Sequence, residues 1–483
     1  MSSVRAKHRR FGLRAGAFAL VIASLSPGSA TAQQPSNPDS VDDVNTPLPS
    51  AANIGQESVG DLLPEPFKSL NGLRPYLVDH GLQFALTYQG DPMGNLSGGI
   101  RQGASYIGRL QTTVEFDPKK TTGWSGGLFH VSGYQIHGAG LSQHFTGSLE
   151  PVSDLEAVGT TRLYELWFEQ RLHQHVSLRV GQLGADTEFF LSPYYGIGIG
   201  GTFGWPSITT LDLPSGGPAY PLAAPGARLK YTPTETMTFL AAVFDGDAAG
   251  PGLNNPQYRN QNGVNFRVSD PPLFMAEGQF RYGSADGPLP PGSVRVGGWV
   301  HLGKFEDERI AIDGLPQSSP VSVGLPLQHR SNAGVYGVID QQIFQKPDKK
   351  DDGVYVFARA AFAPSDRNLV DFYADGGMSF QGLVPGRPDD QFAFLGALTK
   401  ISSQTRAADF DANFYNMTFG PVRNVEAVAE ATYSAKVATG ITMQPNVQYV
   451  VRPGGGVVNP SKPFTTRAMS NAFVVGVRTT VQY

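Results

Sequence analysis

The 483-residue chain carries a net charge of −4, with only 16% of its residues charged, so it offers no basic field to hold nucleic acid. It has no cysteine, which removes disulfides, thiolate metal sites and cysteine nucleophiles together. Its 58 glycines, 37 prolines and 11% aromatic residues suit many short strands joined by turns.

In chain order, residues 1–32 read as a cleavable export signal. Arg5, Lys7, Arg9, Arg10 and Arg14 precede an apolar run from Ala15 to Leu25, and Ala30-Thr31-Ala32 supplies the small residues for cleavage after Ala32. A membrane anchor needs about 20 apolar residues, more than this run or any later one provides. Residues 33–65 are rich in Pro, Ser, Asn and Asp and read as a flexible segment. Residues 66–81, containing FKSLNGLRPYLVDHG, read as a short periplasmic helical piece with Pro75 set against it.

From Leu82 to Tyr483 the pattern becomes runs of alternating polarity, near the length a tilted strand needs to cross a bilayer. About sixteen such runs follow one another, from LQFALTYQG at residues 82–90 to AFVVGVRTTVQY at residues 472–483. Compact links such as HQHV, TPTET and SAKVAT alternate with longer ones, the longest lying between Gly184 and Gly226. An all-β, transmembrane antiparallel barrel of about 16 strands, with short periplasmic turns and long extracellular loops, accounts for both features. A soluble β-sandwich also alternates, but with its apolar face inside. The export signal, the even count and a strand ending on the last residue favour the barrel, in which that strand pairs with the first.

A side-chain period of two then assigns each residue to lipid or lumen. In LYELWFEQR, Tyr164, Leu166 and Phe168 face lipid and Glu165, Trp167, Glu169 and Arg171 face the lumen. The same parity points Arg109, Glu115, Arg179, Arg228, Arg295 and Trp299 inward. Lys230, Glu277, Arg281, His301, Arg359, Asp371 and Asp375 join them. Such a lining is of mixed charge, whereas an anion pore would be mainly basic and a cation pore mainly acidic. Sugar hydroxyls suit charged partners, and sugar C–H faces suit aromatic rings. In the link between Gly184 and Gly226, Tyr194, Tyr195, Trp205 and Tyr220 lie among Gly and Pro. This loop is expected to fold inward and narrow the pore, with Trp205 touching the solute; the alternative is that its aromatic rings pack only on one another.

Other motifs carry less. GIGIGG at residues 196–201 matches a phosphate-loop spacing, but no helical pattern is read after it. His173 with His175, and Asp245 with Asp247, are incomplete metal sets, and the sequon at Asn416 has no weight in an exported bacterial-type chain. No metal and no cofactor is expected.

The stretch LRVGQLGADTEFF, followed by GGTFGWPSITTLDLPSGGPAYPLAAPGARL and AAVFDGD, resembles the carbohydrate-selective porin family typified by OprB. QPNVQYVVRPGGG before the last strand is similar to it as well. The resemblance runs from about Pro64 to Tyr483. It implies a sixteen-stranded outer-membrane barrel of a Gram-negative-type cell, passing glucose or other small sugars by facilitated diffusion through a charged and aromatic constriction. Terminal Tyr483 resembles the signal read by the barrel-assembly machinery, so small sugars, outer-membrane lipids and that machinery are the expected partners. Self-association is left open. The rival readings are a general diffusion pore without sugar preference and an outer-membrane barrel hydrolase; against the hydrolase stands that nothing in the sequence assembles a triad.

Overall fold

The computed structural model describes residues 57–347, 349–463 and 465–483. The expected export signal and most of the 33–65 segment lie outside the described residues. The rest form one closed antiparallel barrel in which every strand pairs with its neighbours in sequence and the last pairs with the first. Its sixteen strands are β1 (Leu82–Ser97), β2 (Gly103–Phe116), β3 (Gly127–Gly138), β4 (Thr160–His173), β5 (Val176–Leu183), β6 (Ala224–Thr234), β7 (Met237–Phe244) and β8 (Leu273–Tyr282), then β9 (Gly292–Ala311), β10 (Pro326–Lys346), β11 (Lys349–Phe362), β12 (Val370–Gln381), β13 (Gln391–Ile401), β14 (Val425–Ala438), β15 (Ile441–Val451) and β16 (Ala472–Gln482). Each run read from the sequence falls on one of them.

Closure explains the strand at the chain end. Tyr483 and Leu86 exchange backbone hydrogen bonds of 2.8 Å each way, and Thr87 stands opposite Gln482. No edge is left to pair elsewhere, which a bilayer demands because its core supplies no water to an open backbone. The links after even-numbered strands are short turns and those after odd-numbered strands are mostly long loops, the longest being residues 184–223. The short-turn end also carries Leu82 and Tyr483.

Side chains sort by face. Leu166, Val180, Leu229, Val296 and Val300 are exposed on the outer wall, where lipid would cover them. The strand residues alternating with them are buried and mostly polar or charged. Near the short-turn end the outer wall carries rings, Phe129 stacking within 4.6 Å of Phe168 and Trp124 within 5.2 Å of it. Such a girdle marks a membrane interface.

Three details depart from the sequence reading. Tyr164 does not face lipid: the register slips between Ser132 and Gly133 of β3, so Tyr164 and Glu165 both turn inward and Tyr164 is buried. An extra residue in one strand costs the alternation exactly one step. The second concerns GIGIGG, which is followed by helical turns, Gly201–Gly204 and Ser207–Asp212. The third is an unexpected helix, Ser403–Tyr415, in the β13–β14 loop; Ser402 caps it by accepting from Thr405 N at 3.2 Å, and Arg309 of β9 ties it down through Asp411 at 2.7 Å. The expected helical piece before β1 is Leu73–Asp79, with Pro75 in its first turn, where the missing N–H costs nothing.

Candidate channel lining and internal loop

Two glutamates and two arginines form the densest charge cluster. Glu169 of β4 meets Arg179 of β5 at 2.8 Å and Arg228 of β6 at 3.0 Å. Glu188, from the 184–223 loop, reaches the same pair at 2.7 and 3.6 Å. Burial alone would raise the Glu188 carboxyl, but Arg179 and Arg228 overcome it and hold it below its ordinary value. The cluster is charge-balanced and joins the loop to the wall.

Beside it, His130 stacks on Trp167, ring centres 4.5 Å apart and nearly parallel, and the Arg179 guanidinium carbon lies 3.7 Å from the centre of the same indole. His130 is 3.0 Å from Glu115. Glu165 accepts from Gly184 N at 3.0 Å, fixing the first residue of the loop. Trp299 of β9 lies over Gly334 of β10, where a Cβ would come within 2.1 Å of the indole, so only glycine fits under that ring.

The loop itself is tied to strand after strand. Phe190 takes φ of +60°, a left-handed conformation unusual for an aromatic residue. Three contacts impose it: Phe190 N donates to Glu277 of β8 at 2.9 Å, its carbonyl accepts from Arg359 of β11 at 2.8 Å, and its ring stacks on Tyr336 of β10 at 4.1 Å. Arg295 of β9 donates to the carbonyl of Leu191, and Ser192 donates to Asp340 of β10. Arg359 also holds the carbonyls of Phe203 at 2.7 Å and Thr202 at 3.1 Å while paired with Asp375 of β12. Glu430 of β14 accepts from Ile199 N at 2.7 Å and Gly200 N at 3.0 Å. The amides of GIGIGG therefore do cradle an anion, supplied by the chain itself. A segment touching strands from β4 round to β14 has to cross the barrel interior.

The β3–β4 loop (139–159) enters from the other side. Glu426 of β14 accepts from Leu149 N at 2.9 Å and Glu150 N at 2.8 Å. Arg478 of β16 makes a two-bond pair with Asp91 of β1 at 2.7 and 2.9 Å and reaches Asp154 of this loop. The two loops meet where Asp154 N donates to the Ile199 carbonyl at 2.8 Å.

The residues singled out in the sequence therefore fall into three sets. Glu165, Glu169, Arg179 and Arg228 converge with Glu115 and Trp167 on the β2–β6 side of the wall, with Arg171 half-buried at its turn end. Arg109 lies apart, donating to Gln89 at 2.6 Å with its guanidinium over the rings of Tyr134 and Tyr220 at 5.0 and 4.9 Å. Neither Arg109 nor Arg295 makes an ion pair among the described residues. Trp205 is only 8% exposed and its indole N–H donates to Gly216 O at 3.1 Å, so it packs inside the loop and holds the loop's own turn. Asp91, Glu426, Glu430 and Arg478 were not singled out, although each sits at an inward position that parity identifies. Asp245 and Asp247 spend their carboxylates on loop backbone and on Ser215.

A closed β-barrel of sixteen strands, apolar outside and charged within, whose loops fold into the lumen, defines an outer-membrane diffusion channel. The model of the family "Carbohydrate-selective porin, OprB family" matches residues 101–483, and the chain belongs to that family. Porin B of Pseudomonas aeruginosa is 23% identical over 431 residues, spanning 84% of this chain and 88% of that protein. The high-pH structure of Pseudomonas putida OprB superposes with a TM-score of 0.75 at 22% identity, covering 86% of this chain and 97% of that one. The low-pH structure of the same protein gives 0.51 at 17% identity.

Proposed function

We propose that this outer-membrane porin passes small neutral sugars of the glucose type by passive diffusion, through a passage narrowed by the 184–223 loop. What supports the reading is the way that loop spans the lumen. The solute is left to move between a polar loop and a polar wall, exchanging hydrogen bonds with water for bonds to side chains such as Arg109, Gln89 and Arg295. The Trp rings play a supporting part in this reading: Trp167, Trp205 and Trp299 are all buried and stiffen the constriction from behind. No step of hydrolysis is assigned. Tyr483 is read by the assembly machinery before closure, and lipid surrounds the wall afterwards.

The test is single-channel conductance of the refolded protein in a planar bilayer, titrated with glucose, a disaccharide and a neutral non-sugar of similar size. A site that binds its solute weakly on the way through obstructs ion flow saturably. Block by glucose and not by the control is the expected result. Stable channels that no sugar blocks would leave a general diffusion pore, and ester hydrolysis by the purified protein would reopen the enzyme reading.

A further inference from the structure

The segment before β1 lies outside the barrel, and its surface does not suit water. The Arg74 guanidinium sits 5.1 Å from the ring centre of Tyr483 and 5.3 Å from that of Phe84. Phe84 stands opposite Val114, and Tyr483 exchanges backbone bonds with Leu86, positions on the outward face of their strands. Gly60 closes over the Tyr483 ring from the other end of the segment, where an added Cβ would lie 3.1 Å from it. The helix Leu73–Asp79 is thus fastened to the outer wall at the short-turn end, level with the aromatic girdle.

From there the chain presents Leu62, Leu63, Phe67, Leu73 and Tyr76 outward, Phe67 at 63% and Tyr76 at 57% exposure. Its backbone is meanwhile largely self-satisfied. Phe67 N donates to Pro64 O at 2.9 Å, Asn71 N to Pro66 O at 2.9 Å, Arg74 N to Ser69 O at 3.1 Å and Tyr76 N to Gly72 O at 3.2 Å. Large apolar side chains with few backbone groups left for water suit a headgroup boundary better than open solvent. Arg74 and the adjoining Lys120, whose Nζ donates to Val78 O at 2.6 Å, place positive charge where lipid phosphates lie, while Lys68 pairs with Asp61 at 3.4 Å.

We propose that residues 62–78 form an interfacial anchor that seats in the periplasmic leaflet, its apolar side chains among the upper acyl chains and its cations at the phosphates. The occupant of this surface is lipid, because the surface continues the lipid-facing girdle of the wall without a break at Phe84 and Tyr483. The anchor also covers the terminal ring of β16, so it locks the seam where the barrel closes.

The chain has no cysteine, which allows single spin labels. Phe67→Cys, Tyr76→Cys and Leu63→Cys are labelled one at a time in the full protein, in vesicles of phosphatidylethanolamine and phosphatidylglycerol, with Ser284→Cys in the exposed β8–β9 turn as the water-facing reference. Heat-modifiable migration verifies that each barrel is folded. Power saturation should show all three anchor labels several-fold more accessible to oxygen than to an aqueous nickel chelate, and the Ser284 label the reverse. Nickel-dominated relaxation at all three sites would overturn the anchor by placing the segment in water. Exclusion of both reagents would overturn it in favour of a protein cover, including a second copy. Arg74→Gln should shift the Phe67 label toward nickel.

Discussion

In the wall, each strand is held by a ladder of backbone bonds to two neighbours; in the 184–223 loop, the backbone is held by side chains that the wall sends inward. The wall is repetitive, so removing one side chain leaves the ladder standing. The loop is not. Glu277, Arg295, Arg359 and Glu430 each grip loop backbone atoms, and these contacts are buried, where an unmade bond costs more than a made one contributes. The lesson is that charge on the inner face has two uses: some of it meets the passing solute, and much of it is structural, spent on folding a loop into the lumen.

The sharpest way to break this distinction is Arg359→Ala. The substitution strands the Asp375 carboxylate, which is fully buried with its partner, and frees the carbonyls of Phe190, Thr202 and Phe203. Removing one member of such a pair costs about 3–5 kcal/mol. The expected outcome is a barrel that still migrates as folded, unfolds at lower denaturant, and conducts with a larger, noisier current because the loop is loose. An unchanged conductance would mean that the loop is held without this clamp.

A smaller effect is expected from Glu430→Gln. Two charge-assisted bonds to Ile199 N and Gly200 N are weakened, at a cost of about 1.5–3 kcal/mol. Hydrogen exchange should quicken at these two amides and their neighbours while the ladder amides of β14 stay protected. If the β14 ladder opens as well, wall and loop form one cooperative unit and the contrast between them fails.

That contrast also explains what could be read in advance. The strands, their order and the alternation of short and long links follow from local periodicity, which is repeated sixteen times and so survives an occasional irregularity. Inward parity put Glu165, Glu169, Arg179 and Arg228 on the inner face, where all four are buried; that three of them pair across β4, β5 and β6 came only from the structure. It failed at Tyr164 because that residue is itself the extra one, inserted in β4 opposite the consecutive pair Ser132 and Gly133 of β3, and nothing local in LYELWFEQR marks the insertion. It could not tell that Glu430 and Arg359 bind loop backbone, since that depends on a loop more than 150 residues away in sequence. Trp205, among glycines and prolines, reads equally as solute contact and as loop core; its bond to Gly216 O decides for the core.

Tyr164→Phe tests the bulge at lower stakes. Its hydroxyl donates to Asp186 of the loop, whose carboxylate also accepts from Tyr220 N at 2.9 Å. Deleting one of the two bonds should cost about 1 kcal/mol and lower the thermal midpoint slightly without altering conductance. A large loss would show that the bulge, rather than the clamps further along, sets the loop's entry into the lumen.

A pH-dependent effect concerns the second loop and distinguishes it from the first. Glu156 accepts from Ser142 N at 3.1 Å and Ser142 Oγ at 2.8 Å, with no cation bonded to it among the described residues. Burial pushes its carboxyl up to about 7, against the opposing pull of the Ser142 bonds. A carboxyl whose folded pKa lies above its unfolded one is more protonated in the folded state between the two values. Stability from this group is therefore present at low pH and lost as pH rises toward and past 7. Glu188, paired with Arg179 and Arg228, is shifted the other way, so its contribution holds above the ordinary carboxylate range and fades only as pH falls below it. The thermal midpoint of the wild-type chain, compared with Glu156→Gln between pH 5 and 8, should show a decline that the variant lacks. Two parallel curves would mean that Glu156 reaches water, and that the 139–159 loop is packed less tightly than the one it meets at Ile199.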